Sequence, residues 1–263
     1  MYQTNFPQPP QETLPTMYDL PSEDSEDPGL PDLFHVAQPR LLDETCRPPV
    51  YAPNQFLTAS DLNLYYDPNH TRWYKRPDWF LVLGKSPAST QDRMHLSYVI
   101  WQEGTAPFLV VELLSPGTEA EDLGQTLREI NTPPTKWQVY EQILRIPYYA
   151  VFDRYSNQFR LFRLVATRYE SVPLPEQRFW FEELELGLGV WQGCYQDTEG
   201  LWLRWYDKSG AWIAMATEQL QQERQRADQE RQRADQERQR ADQERQRADR
   251  LAAKLRELGI DSV

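Results

Sequence analysis

Four stretches of the chain carry the apolar texture of sheet strands. WFLVL (Trp79–Leu83), PFLVVELLS (107–115), YYAVFDRY (148–155) and QFRLFRLV (158–165) are rich in aromatic and β-branched residues and are bounded by Pro, Gly or Asn. Weaker patterns place further strands at 168–172, 179–188 and 201–206, and Ser156-Asn157-Gln158 reads as a hairpin turn. Helical periodicity is rarer. It predicts a helix at 58–66, opened by Thr58 or Ser60, and another at 135–145, with Trp137, Tyr140, Ile143 and Leu144 on one face. A third, at 123–130, would stop before Pro133 and Pro134. The pattern is that of an α+β domain built on a mixed sheet with flanking helices.

Behind it the pattern changes. QERQRAD starts at Gln222, Gln229, Gln236 and Gln243, four identical copies of heptad length. With Leu220, Ala227, Ala234, Ala241, Ala248 and Leu255 as position a, position d is Glu223, Glu230, Glu237 and Glu244 before it becomes Leu251 and Leu258. Arg224 and Asp228, Arg226 and Glu230, and Arg231 and Asp235 lie four apart, each pair worth roughly 0.2–0.5 kcal/mol on an exposed helix. A long C-terminal helix over 218–259 follows. As a coiled coil it would be weak along the repeats and clasped by leucines at its end, with the repeats setting a spacer length.

Composition locates the polar residues. Of 263 residues 40% are hydrophobic, with nine Trp and 14 Tyr, so a core is affordable despite a mean hydropathy of -0.76. Residues 1–33 hold seven acidic residues, no Lys or Arg, and recurrent Pro, the composition of a disordered acidic leader. Of the net charge of -12, that leader carries -7 and the tail from Gln219 carries +1. A body at -6 remains. The expected organisation is a leader at 1–33, a globular domain at 34–217 and a heptad helix at 218–259.

An acidic body argues against tight non-specific adhesion to nucleic acid, which depends on cations that displace counterions. A local basic groove is compatible with it, and Arg72, Lys75 and Arg76 stand together before the first strong strand. Taken alone, such a triplet reads more readily as a solvated turn. Cys46 and Cys194 are too few for a disulfide framework. No run of about 18 apolar residues exists, and the first ten residues lack the pattern of a signal peptide. A soluble cytoplasmic protein with no membrane partner is expected.

Chemistry begins at Glu112, a carboxylate inside Phe108-Leu109-Val110-Val111-Glu112-Leu113-Leu114, where both faces are otherwise apolar. Such a charge must meet a cation, a metal or a proton, or else escape to solvent at a strand end. Asp78 heads the strand 34 residues earlier, and two carboxylates on adjacent strands can hold one Mg²⁺ through hard oxygen ligands. Asp78 alone would be a turn residue. Lys136 opens the helix after the Glu112 strand, with Tyr140 one turn on and on the same face, and could neutralise charge developing on a phosphate. Singly, these two read as a surface lysine and a core tyrosine. His35, His70 and His95 have no zinc spacing and read as surface or turn residues, and neither a hydrolase elbow nor a phosphate-cradling glycine loop is present.

The series RPDWFLVL, FLVVELLSP, Glu121-Asp122 and KWQVYEQILRIPYYAVFD resembles the Uma-two family of restriction-endonuclease-like proteins, a branch of the PD-(D/E)XK nuclease superfamily, over roughly residues 50–190. The resemblance implies a restriction-endonuclease-like fold, a homodimer, and Asp78 and Glu112 as metal ligands. It makes Lys136 the catalytic lysine, displaced from the strand to the following helix. Leu114 stands where the simplest superfamily motif has Lys, and Lys136 comes fourteen positions after Asp122, so the part played by Asp122 stays open. Two functions are therefore expected: a Mg²⁺-dependent (or Mn²⁺-dependent) endonuclease that hydrolyses DNA, or a catalytically silent nuclease-fold scaffold that engages a coiled-coil partner through its C-terminal helix.

Overall fold

A computed structural model describes residues 14–15, 33–114, 123–124 and 132–257, with side chains up to 255 in the last stretch. The expected leader, apart from residues 14, 15 and 33, lies outside the described residues, as does the helix expected at 123–130 beyond a turn at Leu123 and Gly124. The chain divides into two units, Met1–Ile213 and Ala214–Val263.

The first unit is α+β. Its main sheet has six strands: β1 (Phe56–Ala59), β4 (Trp79–Leu83), β6 (Leu109–Leu113), β7 (Tyr148–Asp153), β8 (Gln158–Val165) and β9 (Arg168–Ser171), in the order β1-β4-β6-β7-β8-β9. All neighbours are antiparallel except β6 and β7, so the sheet is mixed. A small sheet orders β3 (Tyr74–Lys75), β2 (Leu64–Tyr65) and β5 (Tyr98–Val99), the last running into the short helix α2 (Ile100–Glu103), and an antiparallel one orders β10 (Arg178–Phe181), β11 (Leu186–Tyr195) and β12 (Thr198–Tyr206).

Alternation along the strands splits the core in two. Trp79, Leu81, Leu109, Val111 and Leu113 pack with Leu42 of helix α1 (Leu33–Thr45), with Cys46 just after it, and with Leu188, Leu203 and Trp205. Phe80, Val82, Val110 and Tyr149 face the other way, against Val139, Tyr140 and Ile146. Glu112 has the parity of Val110, and it enters this second core.

Three expected elements differ. Residues 58–66 form no helix: β1 pairs with β4 from Phe56↔Leu83 to Ala59↔Phe80, and the chain turns at Asp61 (φ 50°) into β2. Pairing along the sheet edge outweighed a weak helical period. The run at 179–188 is two strands turned at Glu185 (φ 45°). The helix at 135–145 is α-helical only over α3 (Lys136–Gln138) and widens into a π-turn over Val139–Ile143. Helix α1, with Pro39 in its seventh position, had no counterpart in the pattern.

The second unit is one helix, α4 (Ala216–Glu257), exposed from Gln219 to Leu255. Among the described residues no helix is long and apolar enough to cross a membrane.

Candidate active site

The register of β4 and β6 builds the site. Trp79↔Val111, Phe80↔Val110 and Leu81↔Leu109 are paired, which puts Asp78 and Glu112 next in line on adjacent strands. Asp78 Oδ2 accepts the backbone N–H of Leu113 at 2.6 Å. Glu112 is 0% exposed. Its Oε2 lies 3.0 Å from Lys136 Nζ and its Oε1 accepts the Tyr140 hydroxyl at 2.8 Å. The structure thus brings together Asp78, Glu112, Lys136 and Tyr140. Asp122 lies outside the described residues.

Local sequence explains how α3 delivers two of these groups. Thr135 caps it, accepting the N–H of Gln138 at 3.2 Å, while the Gln138 side chain accepts the Thr135 N–H at 3.0 Å. This capping box fixes the first turn, so Lys136 and Tyr140, four residues apart, share the face turned to β6.

Burial pushes the Asp78 carboxyl above the usual carboxylate range. Opposing it are the Lys136 ammonium, the Leu113 N–H, the His35 ring and a hydrogen bond to Glu112. Like charges directly opposed across two strands destabilise a sheet. With both carboxyls ionised, Glu112 fully buried and Asp78 half-buried, one ammonium beside them would leave an excess of negative charge.

That excess fits a hard divalent cation. Lys136 and Tyr140 donate to different oxygens of Glu112, and a carboxylate oxygen offers two lone-pair directions, so metal ligation is compatible with both contacts once the proton shared with Asp78 is given up. Among the described residues no group of three or more His, Cys, Asp or Glu is placed to hold a metal. Two carboxylates with water and substrate phosphate completing the shell is the usual manner of Mg²⁺ binding.

His35 was missed in the sequence. Far from being a surface or turn residue, it is half-buried on α1, and its Nε2 lies 3.0 Å from the carbonyl oxygen of Leu113, the residue whose N–H holds Asp78. Only tertiary structure brings it there, across 78 residues of sequence. His70 matches its surface reading, exposed beside Asp67 at 2.7 Å and stacked on Trp73 at 3.9 Å. His95 does not: half-buried, it joins Glu103, which also pairs with Lys85, each contact being 3.2 Å.

The basic triplet is divided. Lys75 is buried in β3, Arg76 bonds the Asn63 side chain at 3.1 Å and lies 3.5 Å from Asp61, and Arg72 is exposed. It is no continuous cationic patch.

Residues 17–196 match the model of the Uma2 family, described as "Putative restriction endonuclease". Among curated proteins nothing matches. One matching solved structure is the "putative nuclease belonging to DUF820 from Anabaena variabilis ATCC 29413", 12% identical over 56% of this chain and 75% of that chain, with a TM-score of 0.37.

Proposed function

The chain belongs to the Uma2 family, whose model spans more than half of it, and from that membership we propose that it is an endonuclease hydrolysing phosphodiester bonds of DNA with Mg²⁺, or Mn²⁺ in its place. The observation that carries this reading is the convergence of Asp78, Glu112 and Lys136 around a fully buried carboxylate. A structural ion pair would need Lys136 and Glu112 alone. The second carboxylate, placed against the first at a cost, is what a metal site requires.

Asp78 and Glu112 would hold the cation. When bound, it would supply Lewis-acid activation of water and stabilisation of the charge that develops on the phosphoryl oxygens. The chain's own groups do the rest. Leu113 N–H fixes one oxygen of Asp78, and the other would serve the cation. Tyr140 fixes Oε1 of Glu112. The Lys136 side chain keeps about a fifth of its surface exposed, so its ammonium can reach a phosphate or the attacking water while it touches Glu112. His35 contacts the carbonyl oxygen of Leu113 and so braces the residue whose N–H holds Asp78. A homodimer, as the resemblance implies, would set one such site against each strand of a duplex.

The test is nicking of supercoiled plasmid at low salt with Mg²⁺ or Mn²⁺, comparing the parent with Asp78→Ala and Glu112→Ala, and with Glu112→Gln in case removal of the buried carboxylate unfolds the chain. Metal-dependent nicking lost in folded variants supports the nuclease. Equal background in all of them rejects it and leaves the scaffold that works through α4.

A further inference from the structure

Helix α4 has a period that an isolated helix does not need. Residues seven apart on a straight helix drift by about 20° per heptad, so a stripe kept in strict heptads for five repeats stays on one face only in a left-handed supercoil. Leu220, Ala227, Ala234, Ala241, Ala248 and Leu255 are such a stripe. Leu220, Leu251 and Leu255 are 50%, 54% and 42% exposed. Each of the four repeats carries two Arg and two acidic residues, and the glutamates of position d lie between arginines at e and g, so a second copy of the helix offers cations beside its carboxylates.

We propose that α4 pairs with α4 of a second copy, antiparallel and in one register: Leu220 faces Leu251, Ala227 faces Glu244, Ala234 faces Glu237, and Leu255 faces Ala216. In antiparallel coiled coils an a position meets a d position in each layer. This register applies that rule along the helix and closes both ends with leucine. Sliding by one heptad sets Leu255 against Glu223 or Leu220 against Glu244. Parallel pairing sets Glu223, Glu230, Glu237 and Glu244 each against its own copy, four like-charge layers in succession. Arginine occupies the flanking e and g positions in either orientation, but antiparallel pairing sets each glutamate opposite an alanine and beside an arginine of the other helix, Arg233 beside Glu237 and Arg226 beside Glu244. About 40 residues overlap, some 60 Å of helix.

The experiment uses the full chain with Cys194→Ser, since Cys194 is exposed whereas Cys46 is buried. Ala227→Cys and Glu244→Cys proteins are prepared separately, mixed under reducing conditions and then mildly oxidised. The proposal expects a disulfide-linked dimer in the mixture and in neither protein alone, and at least a tenfold loss of it when Leu251→Glu is added to both. Linkage of the Ala227→Cys protein with itself would show parallel pairing and overturn the proposal. No linkage would overturn it too, whether sedimentation then finds a monomer or a dimer, because a dimer formed through the other unit leaves α4 unpaired. Linkage indifferent to Leu251→Glu would come from random collision and would overturn it as well.

Discussion

Tyr140 donates its hydroxyl to Oε1 of Glu112 across 2.8 Å, and both residues are fully buried. A core tyrosine and a strand glutamate, each ordinary alone, thereby become one unit in which an aromatic side chain aims a carboxylate. The tyrosine ring stacks edge-on with Tyr149 of β7 at 5.3 Å, so the hydroxyl is aimed by the packed core itself.

Tyr140→Phe should keep this packing and lose the hydrogen bond. A hydrogen bond to a charged group contributes about 1.5–3 kcal/mol, so the urea midpoint should fall by a corresponding amount with little change in slope. Metal-dependent nicking should fall further than folding does. Unchanged stability would mean that Glu112 finds another donor.

Lys136→Met removes the ammonium that lies beside the fully buried Glu112 and the half-buried Asp78. Breaking a buried pair from one side costs about 3–5 kcal/mol, with solvent at Lys136 moving the loss toward the lower end. Mg²⁺ should therefore raise the melting temperature of this variant more than that of the parent. An equal shift in both would argue that the cation does not share the Asp78 and Glu112 carboxylates.

Asp78→Asn should separate stability from function. The amide oxygen can still accept the Leu113 N–H, and a neutral group relieves the burial that holds the carboxyl above its usual range. The variant should melt at or above the parent temperature without metal, gain nothing from Mg²⁺ and fail to nick plasmid. Melting well below the parent would contradict the crowding of negative charge at the two carboxylates.

Glu103 gives a pH dependence away from the site. The hydrogen bond from His95 holds it below the usual glutamate range, burial opposes this, and Lys85 adds to the lowering. A depressed carboxylate contributes stability that is present above its unfolded pKa and is lost as pH falls through the folded one. Denaturant midpoints of the parent should thus decline more steeply below about pH 5 than those of Glu103→Gln. Parallel curves would show that another carboxylate governs the acid limb.

The strands that frame the site were legible because Trp79–Leu83 and Leu109–Leu113 are apolar on both faces, which leaves few structures open to them. Glu112 stood out for the same reason. Legibility failed where neighbours in space decided the outcome: Phe56–Ala59 became an edge strand because β4 offered a partner, and His35 joined the site because α1 packs beneath it. Pro39 masked α1, since proline inside a helix forfeits one backbone hydrogen bond, a loss that burial of Leu41 and Leu42 offsets.

The widened turn after α3 ties the Asp78 and Glu112 carboxylates to the rim of the sheet. Tyr140 and Glu141 are consecutive, yet both are buried. Tyr140 holds Glu112, while Glu141 accepts the N–H of Tyr169 in the edge strand β9 at 2.8 Å, and the Tyr169 hydroxyl returns to the Ile146 carbonyl at 3.0 Å. Lys136 and Tyr140 thus sit on an anchored bracket rather than a hinge. A change at Tyr169, on the outermost strand, would be transmitted through that bracket to the carboxylates, so that the sheet's edge and the proposed metal site form one mechanical unit.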